Sequence, residues 1–282
     1  MQIITDPRAF QDACLELGRK GLSSALVPTM GALHEGHKSL MDTGRKLADT
    51  LVVSIFVNPT QFGPNEDFSS YPRNFSHDCE IARACGADIL FAPENAAMYA
   101  PDHATWVEVP SLADTLCGAS RPGHFRGVCT VVLKLFNLAR PTIALFGEKD
   151  RQQLCIIKKM AADLDLTLEV RGCPTVREAD GLALSSRNQY LSAEERRQAV
   201  HIIKGLRLAE GLRRKGETSS TALETAVRAY WREHIPGGVV DYLDFVHPSS
   251  LARLSVLGDS AIAAAAVKFS RARLIDNIVL EA

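Results

Sequence analysis

Apolar and polar positions in the first 174 residues follow two alternating periods. Short runs of consecutive apolar residues alternate with longer stretches in which apolar residues recur every three or four positions. The first pattern is typical of buried strands and the second of amphipathic helices. Because strands that alternate with helices of this length form βαβ units, the chain is predicted to contain a parallel sheet. The apolar runs show no polar alternation, which indicates a sheet covered by helices on both faces.

The pattern changes after about residue 174, where a smaller α+β unit is predicted. Before that point we predict strands at 25–27, 51–57, 88–91, 142–146 and 166–170, with helices at 36–48, 75–85, 125–138 and 152–163. After it we predict helices at 193–214 and 221–234, then strands at 239–246, 261–267 and 273–280. We therefore expect two domains, 1–174 with the parallel sheet and 175–282 with the smaller fold.

Charge and composition exclude several classes of protein. The 32 basic and 33 acidic side chains sum to −1, which excludes a broad cationic surface for nucleic acid or an anionic membrane. The longest run of small apolar residues, 261–267, is too short to cross a bilayer, and residues 1–8 lack the pattern of a signal peptide. We expect a cytoplasmic protein, with its positive groups gathered locally if its substrates are anions.

The cysteines do not suggest a special chemistry. They are Cys14, Cys79, Cys85, Cys117, Cys129, Cys155 and Cys173. Their number is odd and no C-x-x-C motif occurs, which argues against a zinc knuckle, a redox dithiol or a disulfide scaffold. We expect reduced, mostly structural thiols.

The segment 28–37, Pro-Thr-Met-Gly-Ala-Leu-His-Glu-Gly-His, lies where a predicted strand ends and a helix begins. Ligands bind at the carboxyl ends of parallel strands, and the free N–H groups of a helix N-terminus suit phosphate. Gly31 and Gly36 would let a ligand approach the backbone closely. His34 and His37 share one helical face and can donate to phosphate oxygens, with positive charge mainly when phosphate is present.

Two other interpretations of this histidine pair stay open at this point. One is a chance pair on a solvated helix. The other is a zinc site, although the order His-Glu-Gly-His departs from the H-E-x-x-H spacing of zinc hydrolases.

Gln61 follows the predicted strand 51–57 directly. Its amide can donate to and accept from the hydroxyl or carboxylate of a small substrate, with Phe62 and Phe68 as an apolar wall. Taken alone, a glutamine in such a loop is more often an ordinary loop residue. Farther along, Arg121 and Arg126 begin another predicted helix, either as anion contacts or as cap and ion-pair residues.

Two later segments repeat the combination of strand end and polar group. Lys149 follows the predicted strand 142–146 as a point charge for phosphate, and Asp150 suits the N-cap of the next helix. Gln153 lies one turn into that helix and is expected to face the same crevice as Gln61. The segment 180–188 places two hydroxyls before a guanidinium, which is either a phosphate clamp or an ordinary turn before a helix.

Together these segments resemble one known family closely. Segments 28–37, 53–62, 121–128, 146–150 and 180–188 are similar to the pantoate–β-alanine ligases, as is the Arg-Leu-Ile-Asp-Asn sequence at 273–277. The resemblance implies a Rossmann-like parallel α/β domain, a smaller C-terminal lid domain, and ATP in the cleft between them. It also implies a cytoplasmic homodimer that uses Mg²⁺ with ATP.

The same resemblance implies the reaction and its residues. Pantoate and β-alanine would condense to pantothenate through a pantoyl adenylate, with release of AMP and pyrophosphate. The positions that match the family's ATP contacts are Met30, Gly31, Ala32, Leu33, His34, Glu35, Gly36, His37, Gly147, Glu148, Lys149, Asp150, Val176, Leu184, Ser185, Ser186 and Arg187.

Substrate and catalytic roles follow from the same matches. Gln61 matches a contact to pantoate and β-alanine, and Gln153 a second contact to pantoate. His37 matches a catalytic proton donor. We expect His34, Lys149 and Arg187 to complete the catalytic set, and no metal ligand is predicted.

Two positions depart from the family pattern, and two other functions remain as alternatives. Arg151 stands where an aromatic residue is usual, and Phe269 stands where glycine is usual. A nucleotidyltransferase of the same fold would retain AMP in its product. A nucleotide-binding module without catalysis would bind ATP but turn nothing over.

Overall fold

A six-stranded sheet organises the first part of the chain in the computed structural model, which describes residues 1–64 and 66–282. Its strands are β1 (Gln2–Ile4), β2 (Ser24–Thr29), β3 (Thr50–Ile55), β4 (Ile89–Phe91), β5 (Ile143–Gly147) and β6 (Glu169–Cys173). They are all parallel and lie in the order β1-β4-β3-β2-β5-β6. The chain moves from β2 towards β4, then returns to the other side of β2 for β5. Such a reversal opens a crevice at the carboxyl ends of the two central strands.

Helices cover both faces of this sheet, as the apolar strands predict. They are α1 (Pro7–Arg19), α2 (Glu35–Leu47), α3 (Phe75–Ala84), α4 (Asn95–Met98), α5 (Pro110–Ala113), α6 (Leu116–Ser120), α7 (His124–Ala139) and α8 (Arg151–Asp163). Successive strand residues point to opposite faces. Ala25 and Val27 therefore pack with α2 and α3, whereas Leu26 packs with α1, α7 and α8.

A three-stranded antiparallel sheet and two helices form the rest of the chain. The strands are β7 (Val239–Val246), β8 (Ser260–Lys268) and β9 (Arg273–Glu281), and the helices are α9 (Ala193–Arg213) and α10 (Ser220–His234). Ala263 and Ala265 of the central strand β8 pack in the same core as these helices. Ile262 and Ala264, on the opposite face, pack with the core of the parallel sheet. Burial on both faces explains why this strand is uniformly apolar.

The sequence analysis missed the first strand and the first helix. The signal for α1 was present, since Asp6 precedes Pro7 and its Oδ1 accepts the backbone N–H of Ala9 at 2.8 Å. An acidic N-cap followed by proline is a typical helix start.

The strand predicted at 166–170 was wrong by three residues. The backbone N–H of Leu166 donates to the carbonyl of Ala161 at 2.9 Å, which closes the end of α8. Leu166 and Leu168 then pack against the core from a loop. Pairing with β5 begins only where Glu169 lies opposite Ile143. The apolar pattern therefore reported burial rather than strand pairing at these positions.

Two findings bear on the wider class of protein. None of the helices in residues 1–64 and 66–282 is both long and apolar enough to cross a membrane. All seven cysteines are free thiols, and five of them are buried.

The packing of α9 against α10 depends on one glycine. A Cβ on Gly205 would lie 2.1 Å from Nε1 of Trp231, an indole that is 1% exposed and donates to the carbonyl of His201 at 2.8 Å. Gly205→Ala is therefore expected to destabilise the protein by about 1–3 kcal/mol through overpacking.

Gly211 lies in the same helix with nothing within 4 Å of an added Cβ, and so provides a matched control. Gly211→Ala should raise stability by up to about 1 kcal/mol, since alanine is the better helix former. Urea or thermal denaturation of the two variants measures the difference. Equal shifts in the unfolding midpoint would contradict the overpacking argument.

Candidate active site

A cavity of about 250 Å³ lies in the crevice where the carboxyl ends of β2, β3 and β5 meet. Most of the residues that the sequence analysis singled out line it. They are Met30, His34, Gly36, His37, Gln61, Gly147, Lys149, Asp150, Gln153, Val176, Leu184, Ser185, Ser186 and Arg187. The structure thus brings five separated segments of the chain to one place.

Five of the positions matched to ATP contacts do not line this cavity, namely Gly31, Ala32, Leu33, Glu35 and Glu148. Glu35 is exposed and pairs with Lys38 at 2.7 Å. Glu148 lies 3.6 Å from the guanidinium of Arg151. The other three, Gly31, Ala32 and Leu33, belong to the loop between β2 and α2, which packs around Asp78.

The loop between β2 and α2 wraps around a carboxylate of the protein itself. The backbone N–H groups of Ala32 and Leu33 donate to the two oxygens of Asp78, at 3.0 and 2.8 Å, and this aspartate is 2% exposed. Gly31 has a φ of 80°, and a Cβ there would lie 2.8 Å from Asp78 Oδ2. The N–H groups of Ala32 and Leu33 therefore already have an anion of the protein itself as their partner.

His34 and His37 stand side by side at the start of α2. Their ring centroids are 4.2 Å apart, and His34 is the N-cap residue. The backbone N–H of His34 donates to Nδ1 of His37 at 3.3 Å, and the N–H of Gly36 donates to Nδ1 of His34 at 3.1 Å. Since each Nδ1 accepts, each Nε2 carries the proton and is free to donate.

Burial keeps both imidazoles neutral. It lowers the pKa of His37 to about 3, with further lowering by the neighbouring His34 and Lys149. The pKa of His34 is lowered as well, first by burial and then by Lys149. A Cβ on Gly36 would lie 2.9 Å from the His34 ring. This glycine therefore makes room for an imidazole as well as lining the cavity.

Gln61 ends a single 3₁₀ turn, Pro59–Gln61, that follows β3. It is 8% exposed, its Oε1 accepts from Nδ2 of Asn58 at 3.1 Å, and its Nε2 lies 2.9 Å from Sδ of Met30. Asn58 is 1% exposed, and its Oδ1 also accepts from the hydroxyl of Tyr99 at 2.9 Å. Asn58 therefore orients the Gln61 amide, a role that sequence analysis did not assign.

Arg121 and His124 hold the same turn from the side of α7. Nδ1 of His124 donates to the carbonyl of Gln61 at 2.7 Å, and Arg121 donates to His124 Nε2 at 3.0 Å. Burial, followed by Arg121, lowers the pKa of His124 to about 4. Arg121 also pairs with Glu66, with its Nε 2.7 Å from Oε1. The sequence allowed an anion contact or an ion pair at Arg121, and the structure shows the ion pair with Glu66.

The adjacent glutamines of α8 face different surroundings. Gln152 is 6% exposed, donates to the carbonyls of Leu112 and Thr115, and accepts from the N–H of Cys117 at 3.0 Å. Gln153 lines the cavity together with Gln61, as predicted. Gln152 therefore binds the α5–α6 segment through three hydrogen bonds, whereas Gln153 lines the cleft.

Lys149 lies in the 3₁₀ turn Glu148–Asp150, directly after β5. Its Nζ is 3.9 Å from Oδ1 of Asp150, a loose pairing. Asp150 occupies the N-cap position of α8, but its side chain makes no capping hydrogen bond. The proposed capping role of this carboxylate is therefore not seen, and the group lines the cleft instead.

Ser185, Ser186 and Arg187 line the same cavity. Arg187 makes a bidentate pair with Asp67, at 3.0 and 2.8 Å, and its guanidinium lies 5.8 Å from the Tyr71 ring centroid. Ser185 begins the 3₁₀ turn Ser186–Tyr190 and accepts the N–H of Arg187 at 3.2 Å.

An apolar wall completes the cavity. It is formed by Phe62 and by the inward stripe of α7, which consists of Val128, Val131, Val132 and Leu135. Phe68, predicted as part of this wall, stands behind it and meets Phe62 edge-on at 5.4 Å. The cavity therefore combines a small apolar surface with amide, imidazole, hydroxyl and ammonium groups.

The remaining predicted positions lie elsewhere. Arg126 is 3.5 Å from Glu108 and stacks over Trp106, away from the cleft. Arg151 lines an adjoining cavity of about 390 Å³ rather than the one described here. Phe269 is buried in the core of the α9–α10 region, with no positive φ that would require glycine.

Comparison with known proteins agrees with the resemblance noted in the sequence. A family model described as pantoate–β-alanine ligase matches residues 2–279. The pantothenate synthetase of Nitratidesulfovibrio vulgaris strain Miyazaki F is 55% identical over 280 residues, covering 99% of each chain. That of Oleidesulfovibrio alaskensis is 54% identical, covering 99% of this chain and 100% of its own.

Solved structures give the same answer. The pantothenate synthetase of Thermus thermophilus superposes with a TM-score of 0.93 at 42% identity, covering 99% of each chain. The pantoate–β-alanine ligase of Francisella tularensis, complexed with β,γ ATP and β-alanine, superposes with a TM-score of 0.80 at 33% identity, covering 99% of this chain and 97% of its own. The chain therefore belongs to the pantoate–β-alanine ligase family.

Proposed function

We propose that the cavity at the ends of β2, β3 and β5 is where this protein condenses (R)-pantoate with β-alanine at the expense of ATP. As a member of its family the protein is a pantoate–β-alanine ligase with ATP as co-substrate. One observation carries the assignment of the site. Gln61 and Gln153 line the same cavity as His34, His37 and Lys149.

The chemistry explains why these groups are needed together. A carboxylate does not react with an amine at neutral pH because oxide is a poor leaving group. A pantoate oxygen therefore attacks the α-phosphorus of ATP, and the bond from that phosphorus to the bridging oxygen of pyrophosphate breaks. The amine of β-alanine then attacks the acyl carbon, AMP leaves with the oxygen, and the amine loses a proton. Because both partners of the first step are anions, positioning and local positive charge carry most of the catalysis.

We assign the phosphate contacts to side chains rather than to the backbone. Lys149 supplies the charge, and the Nε2–H groups of His34 and His37 supply neutral donors. Ser185, Ser186 and Arg187, which line the same cavity, donate as well. Such preorganised donors stabilise charge that develops in the transition state.

We assign pantoate to the side of the cavity that carries both amides. The amides of Gln61 and Gln153 suit its hydroxyl and carboxylate oxygens. The stripe of α7 and Phe62 offer an apolar surface for its two methyl groups. β-Alanine needs only to bring its amine to the acyl carbon from the open side.

We propose Mg²⁺ as the ion that accompanies ATP. In residues 1–64 and 66–282 there is no group of three or more His, Cys, Asp or Glu side chains placed to hold a metal. The structure therefore offers no preformed metal cage that fits the ion, and we derive no step through it and assign no ligand. Mg²⁺ commonly keeps water and substrate phosphates as ligands.

Three further proposals rest on the resemblance. Residues 1–174 would form the ATP- and pantoate-binding domain and 175–282 the lid, which the separate core of α9 and α10 supports.

The protein would also be a homodimer, which analytical ultracentrifugation can measure. Its location would be the cytoplasm, which cell fractionation can test.

Isotope exchange between ATP and pyrophosphate tests the reaction. We expect exchange that requires pantoate and proceeds without β-alanine, because the adenylate forms first. A nucleotidyltransferase would retain AMP in its product, and a non-catalytic module would show no exchange at all. Exchange without pantoate, or only with another carboxylate, would contradict the assignment.

The two neighbouring glutamines allow a matched test of the pantoate site. Gln153→Ala should lower kcat/KM for pantoate by about 10- to 100-fold, the worth of a hydrogen bond to a charged group, and leave the melting temperature unchanged. Gln152→Ala should lower the melting temperature, because it leaves buried carbonyls unpaired, and change the KM for pantoate little. Steady-state kinetics and thermal melts of both variants measure these two effects. The reverse pattern would remove Gln153 from the site.

The lowered pKa of His37 predicts a flat pH response. With a pKa of about 3, its imidazole is neutral from pH 6 to 8, so deprotonation of His37 cannot limit kcat/KM for ATP there. His37→Gln keeps an N–H donor in place of Nε2–H. The ratio of wild-type to variant kcat/KM should therefore stay constant between pH 6 and 8. A ratio that changes about tenfold per pH unit above 6.5 would show that a cationic His37 acts.

The lowered pKa of His37 also predicts that the folded protein is less stable at acidic pH. Below pH 6.5 the unfolded chain binds a proton at His37 that the folded chain does not bind. Stability should therefore fall as the pH drops from 6.5 towards 3, by up to about 1.4 kcal/mol per pH unit. Urea unfolding of wild type and His37→Gln across this range isolates that contribution.

A further inference from the structure

Two consecutive residues of β9, Asp276 and Asn277, connect the small sheet to two segments that line the cleft, the segment 177–187 and the Lys149 turn. We propose that they are positioning residues, which hold the Lys149 turn and the segment 177–187 at a fixed separation so that both sets of phosphate donors address the same position. This inference rests on the proposed function, because it concerns how the ATP-contacting groups are aligned.

Asn277 binds the backbone of the lysine turn. Its Nδ2 donates to the carbonyl of Glu148 at 3.0 Å and to that of Lys149 at 2.9 Å. Both protons of one amide are therefore spent on two successive carbonyls. Neither end of the turn has a side-chain cap, because Gly147 has no side chain and Asp150 makes no capping hydrogen bond.

Asp276 binds the segment 177–187 through Arg177. Its carboxylate is 4% exposed and pairs with this guanidinium in bidentate fashion, at 2.7 and 2.9 Å. Arg177 also donates to the carbonyl of Gly181 at 3.1 Å, and its backbone pairs with Ala183. The aspartate thereby fixes the hairpin that leads directly into Ser185–Arg187.

The two anchors are locked to each other and to the sheet. Oδ1 of Asp276 accepts the backbone N–H of Asn277 at 2.8 Å. In the antiparallel ladder, Asp276 lies opposite Ala265 and Asn277 opposite Ala264, both in the doubly buried strand β8. The Lys149 turn follows β5 and the hairpin follows β6, so β9 provides a third element that sets the distance between them.

A purely structural role would predict a different outcome from a positioning role. Loss of a structural contact lowers stability and reduces both half-reactions in proportion to the folded fraction. Loss of alignment between phosphate donors reduces adenylate formation in protein that is fully folded, because misplacement by about 1 Å can cost up to 10²-fold in rate.

Asn277→Asp tests the lysine-side anchor. It preserves size but removes both amide protons and turns carboxylate oxygens towards two carbonyls. We expect kcat/KM for ATP in pantoate-dependent pyrophosphate exchange to fall about tenfold or more. Amide formation from added pantoyl adenylate and β-alanine should stay within twofold of wild type. Asn137→Asp, the same change at an exposed position of α7, should leave both half-reactions unchanged.

A double-mutant cycle with Lys149→Met identifies the path of the effect. If Asn277 acts through Lys149, Asn277→Asp in the Lys149→Met background should change exchange by less than twofold. Asn277→Ser, which keeps one donor, should be intermediate and serves if the aspartate variant folds poorly.

Three outcomes overturn the proposal. They are unchanged exchange in folded Asn277→Asp, equal losses in both half-reactions, and an undiminished tenfold effect in the Lys149→Met background. Wild-type protein without pantoate-dependent exchange would instead refute the proposed function, and the positioning role with it.

Discussion

The buried carboxylate of Asp78 is the contact on which the loop between β2 and α2 depends. It accepts two backbone N–H groups from the turn between β2 and α2, a turn in which Gly31 and Ala32 have positive φ angles of 80° and 49°. Such a turn exposes N–H groups that would suit a phosphate, and the protein supplies its own anion there. With the N–H groups of Ala32 and Leu33 used in this way, the two imidazoles at the start of α2 are side-chain donors that line the cavity.

The arginines of the cleft are likewise paired with carboxylates of the protein itself. Arg121 pairs with Glu66 and Arg187 with Asp67, so one short acidic stretch neutralises arginines from two separate segments of the chain. Burial raises the pKa of Glu66 and the Arg121 pair outweighs that effect, so that the carboxylate remains ionised. The histidines are neutral and Lys149 is only loosely paired. In a chain of net charge −1, the proposed triphosphate contacts are therefore one ammonium and a set of oriented donors rather than a broad cationic surface.

The three-stranded sheet packs against the cores of both parts of the chain. Alternate residues of β8 pack with α9 and α10 on one side and with the core of the parallel sheet on the other. This strand can therefore transmit the position of one layer to the other. Asp276 and Asn277 of β9 bind Arg177 and the Lys149 turn from a support that is buried on two faces. Such a support favours a fixed position for both contacts.

Much of this organisation is readable in the sequence, and the reason is local. Uniformly apolar runs predict most of the parallel strands, and parallel strands place the loops at their carboxyl ends along one edge. That rule alone is enough to bring segments 28–37, 58–63 and 146–154 together. The strand at 166–170 was misplaced because leucines packing from a loop give the same pattern as a strand.

The partners of the site residues were decided only by the tertiary structure. Asp78 lies 45 positions from Leu33, His124 lies 63 from Gln61, and Asn277 lies 128 from Lys149. No periodicity or motif spacing encodes such pairs, because they depend on how distant elements pack. The sequence by itself determined which chemical groups stand at the strand ends. Packing alone decided that the loop N–H groups are already occupied, that the imidazoles are neutral, and that the lysine turn is held by the last strand.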